Sequence, residues 1–316
     1  MRKLFLSIVC LFLSQTIFAQ EWHSINTKSE ESYSTKLIKS TNESVVIDLS
    51  LNGFYTNQTS LPNSVIITNE DMAPLSEAGQ PNIPSLSIPI IINDMGKMDV
   101  RVSKVEYLEY NDIEIAPSKG EFPRSINPDD VPYTYGDVYQ QNEFFPATNV
   151  KLDSPYILRD FRAQNIIVTP FAYNPVTKTL RVMHKMTIEV VSTKEEGENE
   201  LARRSNTINM DSEFEKMYSN RFINYKESGA KYDIIEEEGD LLIICHDAFM
   251  SAMQPFVEWK RATGRNTTIV GTSVAGTSAD NIKNYITSQY EDNPNLVHVL
   301  LVGDYQQLPG KYLTRL

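Results

Sequence analysis

Residues 240–304 decide the fold of the C-terminal part of this chain. LLIIC (241–245), TTIV (267–270) and HVLLV (298–302) are short apolar runs without alternation, a pattern typical of strands buried on both faces. Two segments with apolar residues at helical spacing separate these runs. Strands that alternate with helices in this way predict right-handed βαβ crossovers and a parallel sheet. Because three strands make about half of an ordinary doubly wound sheet, we expect an incomplete α/β domain.

Local start and stop signals frame the two predicted helices. Asp247 is the predicted N-cap of the first helix, and Gly264 stands where a residue in the left-handed conformation would end it. Ser278 is the predicted N-cap of the second helix, which has one largely apolar side. The predicted order of strands and helices therefore rests on capping residues as well as on hydrophobic spacing.

The composition limits the classes of function. A chain of 316 residues is long enough for two domains, and 29 basic against 41 acidic residues give a net charge of −12. This charge argues against a nucleic-acid partner, which needs a basic face, and against electrostatic attachment to anionic lipid. The hydrophobic fraction of 41%, with 16 Tyr and 13 Phe, is typical of globular domains and not of disorder.

Residues 1–19 have the pattern of a secretory signal peptide. A basic pair after the first methionine precedes an apolar run, and Ala19 is a small residue suited to cleavage before Gln20. The run is short for a membrane span of ~20 residues, and no later stretch is long and apolar enough. We therefore expect a secreted or cell-surface protein. Removal of the signal peptide leaves Cys245 as the remaining cysteine, which excludes an intrachain disulfide.

Residues 20–192 have the pattern of a β-rich domain. Prolines and glycines punctuate the apolar runs, and no helix of convincing length is predicted. In residues 99–105 the valines alternate and then slip by one position, which indicates a β-bulge. PFAYNPVTKTLRV (170–182) predicts a hairpin around an Asn-Pro turn. We expect a β-sandwich or a related antiparallel domain, with strands near residues 45–51, 64–68, 86–92, 99–107, 165–171 and 180–191.

A long irregular stretch, residues 120–149, interrupts the β pattern. It is rich in Pro, Asp and Tyr, and loops of this length inside compact domains are usually functional or mobile. Two interpretations stay open: a surface excursion packed by its own aromatic residues, or an arm that reaches another domain. Its basic side chain is Arg124, with which Asp129 and Asp130 could pair locally.

Residues 193–231 have the composition of a linker. KEEGENE (194–200) is a solvated charge run, and KESGAK (226–231) is polar and contains glycine and serine. Between them, residues 211–225 predict a short helix with aromatic residues on one side. Exposed segments of this composition are where proteases cut, so we expect the division between two domains here.

Two groups of motifs resemble precursors of gingipain-type cysteine peptidases. PFAYNPVTKTLRV (170–182) is similar to the hairpin near the end of the gingipain propeptide, and GQPNIP (79–84) is similar to a turn upstream of it. FVEWKRATGRNTTIV (256–270) and HVLLVGDYQQLP (298–309) are similar to the first helix and the third strand of the gingipain catalytic domain. The resemblance covers nearly all of the chain after the signal peptide, with the two regions in the same order.

The resemblance implies the zymogen region of a secreted cysteine endopeptidase. The propeptide would fold first and mask its own or a related catalytic domain, while protein substrates would belong to the full-length enzyme. The family's cut before the catalytic domain maps to the bond between Lys231 and Tyr232. The implied parts are a signal peptide at 1–19, a β-rich propeptide domain at 20–192, a linker with the activation cleavage at 193–231, and the beginning of a caspase-like α/β peptidase domain at 232–316.

A cysteine peptidase needs a thiolate paired with a histidine. The resemblance places this pair in a His-Gly motif and a later apolar strand, and neither motif occurs in this sequence. Cys245 and His246 are neighbours at a strand end, where successive side chains point to opposite faces, so they make a poor pair. We expect the chain as given to lack peptidase activity. The alternative is a stand-alone, propeptide-like inhibitor or binding protein without enzymatic activity.

Two further residues are candidate site residues. Asp304 follows the third predicted strand, at the edge where open α/β sheets place ligands, and its carboxylate could bind calcium or shape a substrate mouth. The competing interpretation is an aspartate that caps the next turn. Arg124 is the candidate inhibitory residue, because a peptidase that prefers basic residues would bind it in an acidic pocket.

Overall fold

The computed structural model describes residues 20–26, 31–203 and 206–311. Two units make up the chain, Met1–Glu200 and Leu201–Leu316. The predicted signal peptide, with Ala19, lies outside the described residues, and Gln20 is the first residue of the first strand. None of the helices in the described ranges is long and apolar enough to cross a membrane.

The described part of the first unit is built from antiparallel strands in three sheets, which confirms the β-rich prediction. Its strands are β1 (Gln20–Ser24), β2 (Tyr33–Ser40), β3 (Ser44–Leu51), β4 (Gly53–Gln58), β5 (Val65–Thr68), β6 (Ala73–Pro74), β7 (Pro84–Ile91), β8 (Met98–Tyr110), β9 (Val150–Leu152), β10 (Tyr156–Leu158), β11 (Phe161–Val168), β12 (Phe171–Asn174) and β13 (Thr179–Ser192). The sheet orders are β1-β4-β5, then β10-β11-β7-β6 with β9 also on β11, and β12-β13-β3-β2 with β8 also on β13.

Aromatic side chains from different sheets meet in the core of the first unit. Phe54 on β4 is fully buried, and its ring packs edge-on against Phe171 on β12 at 5.5 Å and Tyr110 on β8 at 5.4 Å. The ring of His23 on β1 stacks on Phe54 at 4.8 Å. Such aromatic pairs add to the free energy gained from burial alone. Phe54 therefore links the first sheet to the third.

The predicted strand over residues 165–171 is divided between two sheets. β11 ends at Val168 and pairs with β7, whereas Phe171 begins β12, which pairs with β13. Pro170 stands between the two strands, and it lacks the N–H that a continuing ladder requires. The Asn-Pro turn is confirmed, because the side chain of Asn174 accepts two backbone hydrogen bonds there.

The β-bulge predicted from the slipping valines lies in β8. The ladder pairs Ser103 with Thr187 and Glu106 with Lys185, which leaves an irregular register between the two pairs. Lys104, inside this interval, has a φ of 51°, a left-handed conformation that few side chains adopt. The irregularity explains why the sequence alternation fails in the middle of a continuous strand.

The second unit is an α/β arrangement around a parallel sheet. Its strands and helices are β14 (Thr207–Met210), α1 (Ser212–Arg221), α2 (Tyr225–Gly229), β15 (Asp233–Glu236), β16 (Asp240–Cys245), α3 (Met250–Ala262), β17 (Thr267–Gly271), α4 (Thr272–Ala275), α5 (Ala279–Asp292) and β18 (Leu296–Val302). β16 is the central strand of the order β17-β16-β18, and both of its pairings are parallel. β14 and β15 form a second, two-stranded parallel sheet.

Successive side chains of β16 enter two separate apolar clusters. Leu242 and Ile244 pack with Ile282 of α5, whereas Ile243 packs with Val257 of α3. The helices therefore cover opposite faces of the sheet, which explains the apolar run without alternation. Two of the predicted caps form, since Ser278 accepts the N–H of Asn281 and Gly264 has a φ of 92°.

Residues 193–231 differ from the expected linker, because the structure divides them between the two units. In the first unit, Arg162 is 1% exposed and donates hydrogen bonds to the backbone oxygens of Asn93, Gly96 and Glu198. This buried guanidinium attaches the charged run after β13 to the β domain. In the second unit, residues 206–230 form β14, α1 and α2. The helix predicted over residues 211–225 is present as α1, whereas composition did not predict β14 or the attachment of the charged run, because it does not reveal a distant partner.

Candidate functional site

The carboxyl edge of the parallel sheet holds Cys245 and His246. Cys245 is fully buried, and its thiol donates a hydrogen bond to the backbone oxygen of His246 at 3.3 Å. Burial, and then the negative charge of Asp247, raises the pKa of the Cys245 thiol. The His246 ring caps the short turn Asp247–Phe249, where its Nδ1 accepts the N–H of Ala248 at 3.4 Å. The two side chains therefore have different partners and do not form a thiolate–imidazole pair.

Asp247 does not cap the helix that follows it, and this prediction was wrong. The N-cap of α3 is Phe249, and His246 caps the short turn before it. The Asp247 carboxylate instead accepts hydrogen bonds from Thr272 Oγ1 at 2.9 Å, Ser273 N at 3.0 Å and Ser273 Oγ at 2.7 Å. The bonds from Ser273 and Thr272 lower the pKa of Asp247. Parallel pairing brings the ends of β16 and β17 side by side. Asp247 therefore joins two loops at the edge where ligands bind in open α/β sheets.

Asp304 lies just past β18, at the same edge of the sheet. Its Oδ1 accepts the N–H of Tyr305 at 2.6 Å, and its backbone oxygen accepts the N–H groups of Gln307 at 2.9 Å and Leu308 at 2.8 Å. The side chain of Gln307 accepts the N–H of Asp304 at 2.6 Å. These contacts are those of an aspartate that stabilises its own turn. Calcium binding at Asp304 stays a prediction.

Arg124 lies on an exposed part of the irregular stretch. The short turn Pro128–Asp130 follows it, and the side chain of Asn127 caps this turn by accepting the N–H of Asp129 at 3.2 Å. Within the described ranges Arg124 forms no ion pair with Asp129 or Asp130, the local partners that the sequence suggested. Its guanidinium is therefore available to a partner outside this stretch.

The C-terminal half of the same stretch is fixed to the β domain. Tyr139 donates a hydrogen bond from its hydroxyl to the backbone oxygen of Ile115 at 2.8 Å, and burial raises the pKa of that hydroxyl. Gly136 donates its N–H to the backbone oxygen of Gly79 at 3.0 Å. A Cβ on Gly136 would lie 2.9 Å from that oxygen, so this close approach requires glycine. The stretch thus combines an anchored base with an exposed part around Arg124.

The predicted activation bond joins Lys231 and Tyr232, which are both half-buried. The N–H of Lys231 donates to the oxygen of Ser228 at 3.3 Å, and that of Tyr232 donates to the oxygen of Gly229 at 3.1 Å. The guanidinium of Arg203 lies 4.2 Å from the centre of the Tyr232 ring. The bond therefore lies in a hydrogen-bonded turn after α2. A protease would have to open this turn locally before cutting it.

A buried ion-pair cluster in the second unit was missed by the sequence analysis. Asp211 is the N-cap of α1, and its carboxylate is fully buried. Its Oδ1 accepts the N–H of Glu213 at 2.9 Å, while its Oδ2 accepts the N–H of Gly239 at 3.0 Å and Nη1 of Arg265 at 3.1 Å. Arg265, 9% exposed, also donates to Oε2 of Glu238 at 2.9 Å. We call Asp211, Glu213, Glu238, Arg265 and His298 the Asp211 cluster.

The electrostatics of the Asp211 cluster favour an ionised carboxylate. Burial alone would raise the pKa of Asp211, but the hydrogen bonds from Gly239 and Glu213 and the charge of Arg265 outweigh it and lower this pKa. His298 Nε2, from β18, lies 3.1 Å from Glu213 Oε2 and 3.9 Å from Asp211 Oδ1.

Asp211, Glu213 and His298 are spaced so that they could hold a metal ion, and Asp304 is not among them. Arg265 already supplies positive charge to the carboxylate of Asp211, which makes a further cation unfavourable. The sequence signal for this cluster was an aspartate before a helical pattern, which identifies a cap. Its partners could not be identified, because Arg265 and His298 are far away along the chain.

Two family matches cover most of the chain. Propeptide_C25 matches residues 27–231, and Peptidase family C25 matches residues 234–312. The two matches follow one another without overlap, and the bond between Lys231 and Tyr232 lies where the first one ends.

The chain is also similar to individual proteins of one organism. It is 34% identical over 284 residues to "Gingipain R1" of Porphyromonas gingivalis. The matched region covers 87% of this chain and 28% of that protein. It is 35% identical over 259 residues to "Gingipain R2" of the same species, covering 80% of this chain and 35% of that protein. The chain thus spans only about a third of these relatives. A solved structure, "Complex of Porphyromonas gingivalis RgpB pro- and mature domains", matches with a TM-score of 0.55 and 33% identity, covering 61% of this chain and 97% of that chain.

Proposed function

Because the chain belongs to peptidase family C25, with its propeptide followed by the beginning of its peptidase domain, we propose that it is the zymogen region of a secreted cysteine endopeptidase. The consecutive order of the two family matches carries this proposal. The second unit would be the start of a caspase-like domain, and the signal peptide at 1–19 would direct export to the cell surface or beyond. The residues of the chain as given would supply no catalytic pair, since Cys245 is buried and bonded to backbone.

The first unit would act as an inhibitor and folding aid of the catalytic domain. A solved complex between pro- and mature domains of a related protein supports this partner. The exposed guanidinium of Arg124, without an acidic partner in the described part of the chain, would enter the substrate cleft of a peptidase that prefers basic residues. The anchored base at Tyr139 and Gly136 would reduce the conformational entropy lost on docking.

Titration of the chain from residue 20 to 316 against a mature, arginine-preferring relative tests the inhibitory role. Arg124→Ala is expected to weaken inhibition by about ten-fold or more, which corresponds to the ~1.5–3 kcal/mol of a charged hydrogen bond. Arg101→Ala, on exposed β8, is the matched control and should inhibit like the wild type. Equal inhibition by wild type and Arg124→Ala would show that this arginine does not occupy the cleft.

The bond between Lys231 and Tyr232 would be the activation cleavage. Its position at the end of the Propeptide_C25 match supports this assignment. Mass spectrometry of a precursor treated with a lysine-specific protease should find Tyr232 as a new N-terminus. Lys231→Gln should abolish that product, while Lys226→Gln, five residues earlier, should leave it. A dominant new N-terminus elsewhere would refute the assignment.

A further inference from the structure

The last part of the family propeptide folds with the peptidase unit in this protein. Residues 206–231, which we call the propeptide tail, lie inside the Propeptide_C25 match but in the second unit. In the tail, β14 pairs in parallel with β15, from Thr207 opposite Asp233 to Met210 opposite Glu236. The two paired strands lie on opposite sides of the proposed activation bond. Cutting that bond therefore removes a covalent link but none of these contacts.

We propose that the propeptide tail stays bound to the peptidase unit after the chain is cut between Lys231 and Tyr232, and that the buried pair of Asp211 and Arg265 holds it there. The inference rests on the proposed zymogen function. It identifies the partner of the tail as residues 232–311 of the same chain. The binding surface consists of the edge of β15 that pairs with β14, the backbone at Gly239 and the guanidinium of Arg265.

The contacts across the cut surround Asp211. Its carboxylate receives the N–H of Gly239 and a guanidinium N–H of Arg265, both from the peptidase side of the bond. The backbone of the tail adds two hydrogen bonds next to the β14–β15 ladder, from Asp233 N to the oxygen of Asn206 at 3.1 Å and from Glu237 N to the oxygen of Met210 at 3.1 Å. The peptidase side thus satisfies both the charge and the backbone groups of this segment.

Loss of the tail would leave an uncompensated charge. Arg265 is buried, and loss of the tail would remove both Asp211 and Glu213, so that its acidic neighbour on the peptidase side would be Glu238, whose side chain is 51% exposed. Removing one partner of a buried ion pair is strongly unfavourable, because the other charge is left without compensation. The same penalty would oppose departure of the tail.

The apolar side of the tail gives a second reason for retention. Ile208 and Met210 on β14, and Tyr218 and Phe222 on or next to α1, are 4% exposed or less. Across the cut, the ring of Phe214 on α1 lies 5.9 Å from that of His298 on β18, and dissociation would expose such contact surface to water at a cost proportional to the area. The tail therefore has the burial of a folded element and not that of an exposed linker.

A retained tail would delay release of the first unit during maturation. Residues 201–205 connect the tail to the first unit, so a retained tail tethers the whole propeptide to the peptidase unit after the first cut. A tether of this kind keeps the inhibitor at a high effective concentration. Release of the first unit then requires a second cut N-terminal to residue 206.

The test uses the chain from residue 20 to 316, with recognition sequences for two site-specific proteases, one between Glu200 and Leu201 and one between Lys231 and Tyr232. After both cuts, native size-exclusion chromatography with mass spectrometry should find the tail eluting with the peptidase piece.

Asp211→Asn, which keeps a capping oxygen but removes the charge, should raise the dissociation rate constant about a hundred-fold. Arg265→Lys should give an intermediate rate constant. Glu215→Gln, on the exposed side of α1, should behave like the wild type.

Hydrogen exchange gives a readout that does not depend on the folding of a variant. The amides of Thr207–Met210 should keep their protection after the cut between Lys231 and Tyr232 in the wild-type chain. Separation of the wild-type tail, exchange at free-chain rates, or an Asp211→Asn tail that dissociates as slowly as the wild type would each overturn the proposal. Because the cuts are engineered, this result is independent of the Arg124 titration and of the natural activation bond.

Discussion

The two units of this protein differ in how their sheets achieve burial. In the antiparallel first unit, β3 lies between two neighbours, and its inward residues Ile47 and Leu49 are 1% exposed or less. In the parallel second unit the central Ile243 is fully buried, but Val299 and Leu301 on β18 are 39% and 52% exposed. Antiparallel strands are joined by short turns, whereas each parallel strand needs a long crossover. The first unit therefore buries the apolar side of β3 between two paired strands, whereas the second unit leaves apolar side chains of its edge strand β18 exposed.

The largest expected difference is in the folding of the two units when each is produced as an isolated piece. We expect residues 20–200 to unfold in one cooperative transition, because their core is closed by antiparallel neighbours. We expect residues 232–316 to be insoluble or molten, since β18 presents an apolar edge and the tail is missing. Circular dichroism melts and one-dimensional NMR of both pieces check this. A sharp two-state melt of residues 232–316 would show that this piece also folds by itself and would contradict the expected difference.

Truncation of the aromatic core should be the most damaging single change in the first unit. Phe54→Ala is expected to lower the free energy of unfolding by about 3–5 kcal/mol, because it removes a fully buried ring that joins two sheets. Leu301→Ala, on the exposed edge of the second unit, should cost no more than ~0.5 kcal/mol. Urea unfolding of the whole chain measures both. Similar losses in the free energy of unfolding for the two variants would show that burial does not decide the effect.

The attachment of residues 193–200 to the first unit should depend on Arg162. Arg162→Met leaves the oxygens of Asn93, Gly96 and Glu198 without this donor, so we expect a loss of roughly 3 kcal/mol. The control is Lys97→Ala, because the pair of Lys97 with Glu195 is exposed and should leave the urea midpoint unchanged. Limited proteolysis should then cut residues 193–200 first in Arg162→Met. Unaltered proteolysis would show that other contacts hold this segment.

Low pH should lower the free energy of unfolding of the second unit, because Asp211 becomes protonated. Because the pKa of Asp211 is lowered in the folded protein, its contribution is complete above the unfolded value of ~3.9 and is lost as the pH falls through the lower, folded value. The side chains of Glu213, Glu238, Arg265 and His298 lie around this carboxylate.

The measurement is urea unfolding of wild type and Asp211→Asn between pH 6 and pH 3, with Glu215→Gln as the control. The stability gap between wild type and Asp211→Asn should narrow as the pH falls, whereas the control should follow the wild type. A gap that stays constant over this range would mean that Asp211 is not ionised in the folded protein.

The smallest expected effect concerns the end of α3. Gly264 has a φ of 92°, and a Cβ built there meets no atom within 4 Å. Gly264→Ala should therefore cost about 1 kcal/mol from backbone strain alone, and Gly264→Asn should cost less. Thermal unfolding of the whole chain measures this difference. An unchanged midpoint for Gly264→Ala would show that this turn relaxes freely.

The sequence by itself determined the elements whose signals are local. The apolar runs located β16, β17 and β18 to within one or two residues, Ser278 identified the start of α5, and the slipping valines located the irregularity in β8. The two motif groups also identified the family, because they preserve their order along the chain. These features depend on backbone conformation and on the hydrophobicity of neighbouring residues.

Only the tertiary structure decided which polar residues are buried together. Asp247 bonds to Ser273, 26 residues away, and Asp211 bonds to Arg265, 54 residues away. Arginine is rarely buried, so nothing in the local sequence marks Arg162 or Arg265 as core residues. In each, acceptors from distant segments receive hydrogen bonds from the Nη groups of the guanidinium. Those segments become neighbours only once the chain has folded, and for the same reason composition predicted a linker where the structure has a folded tail.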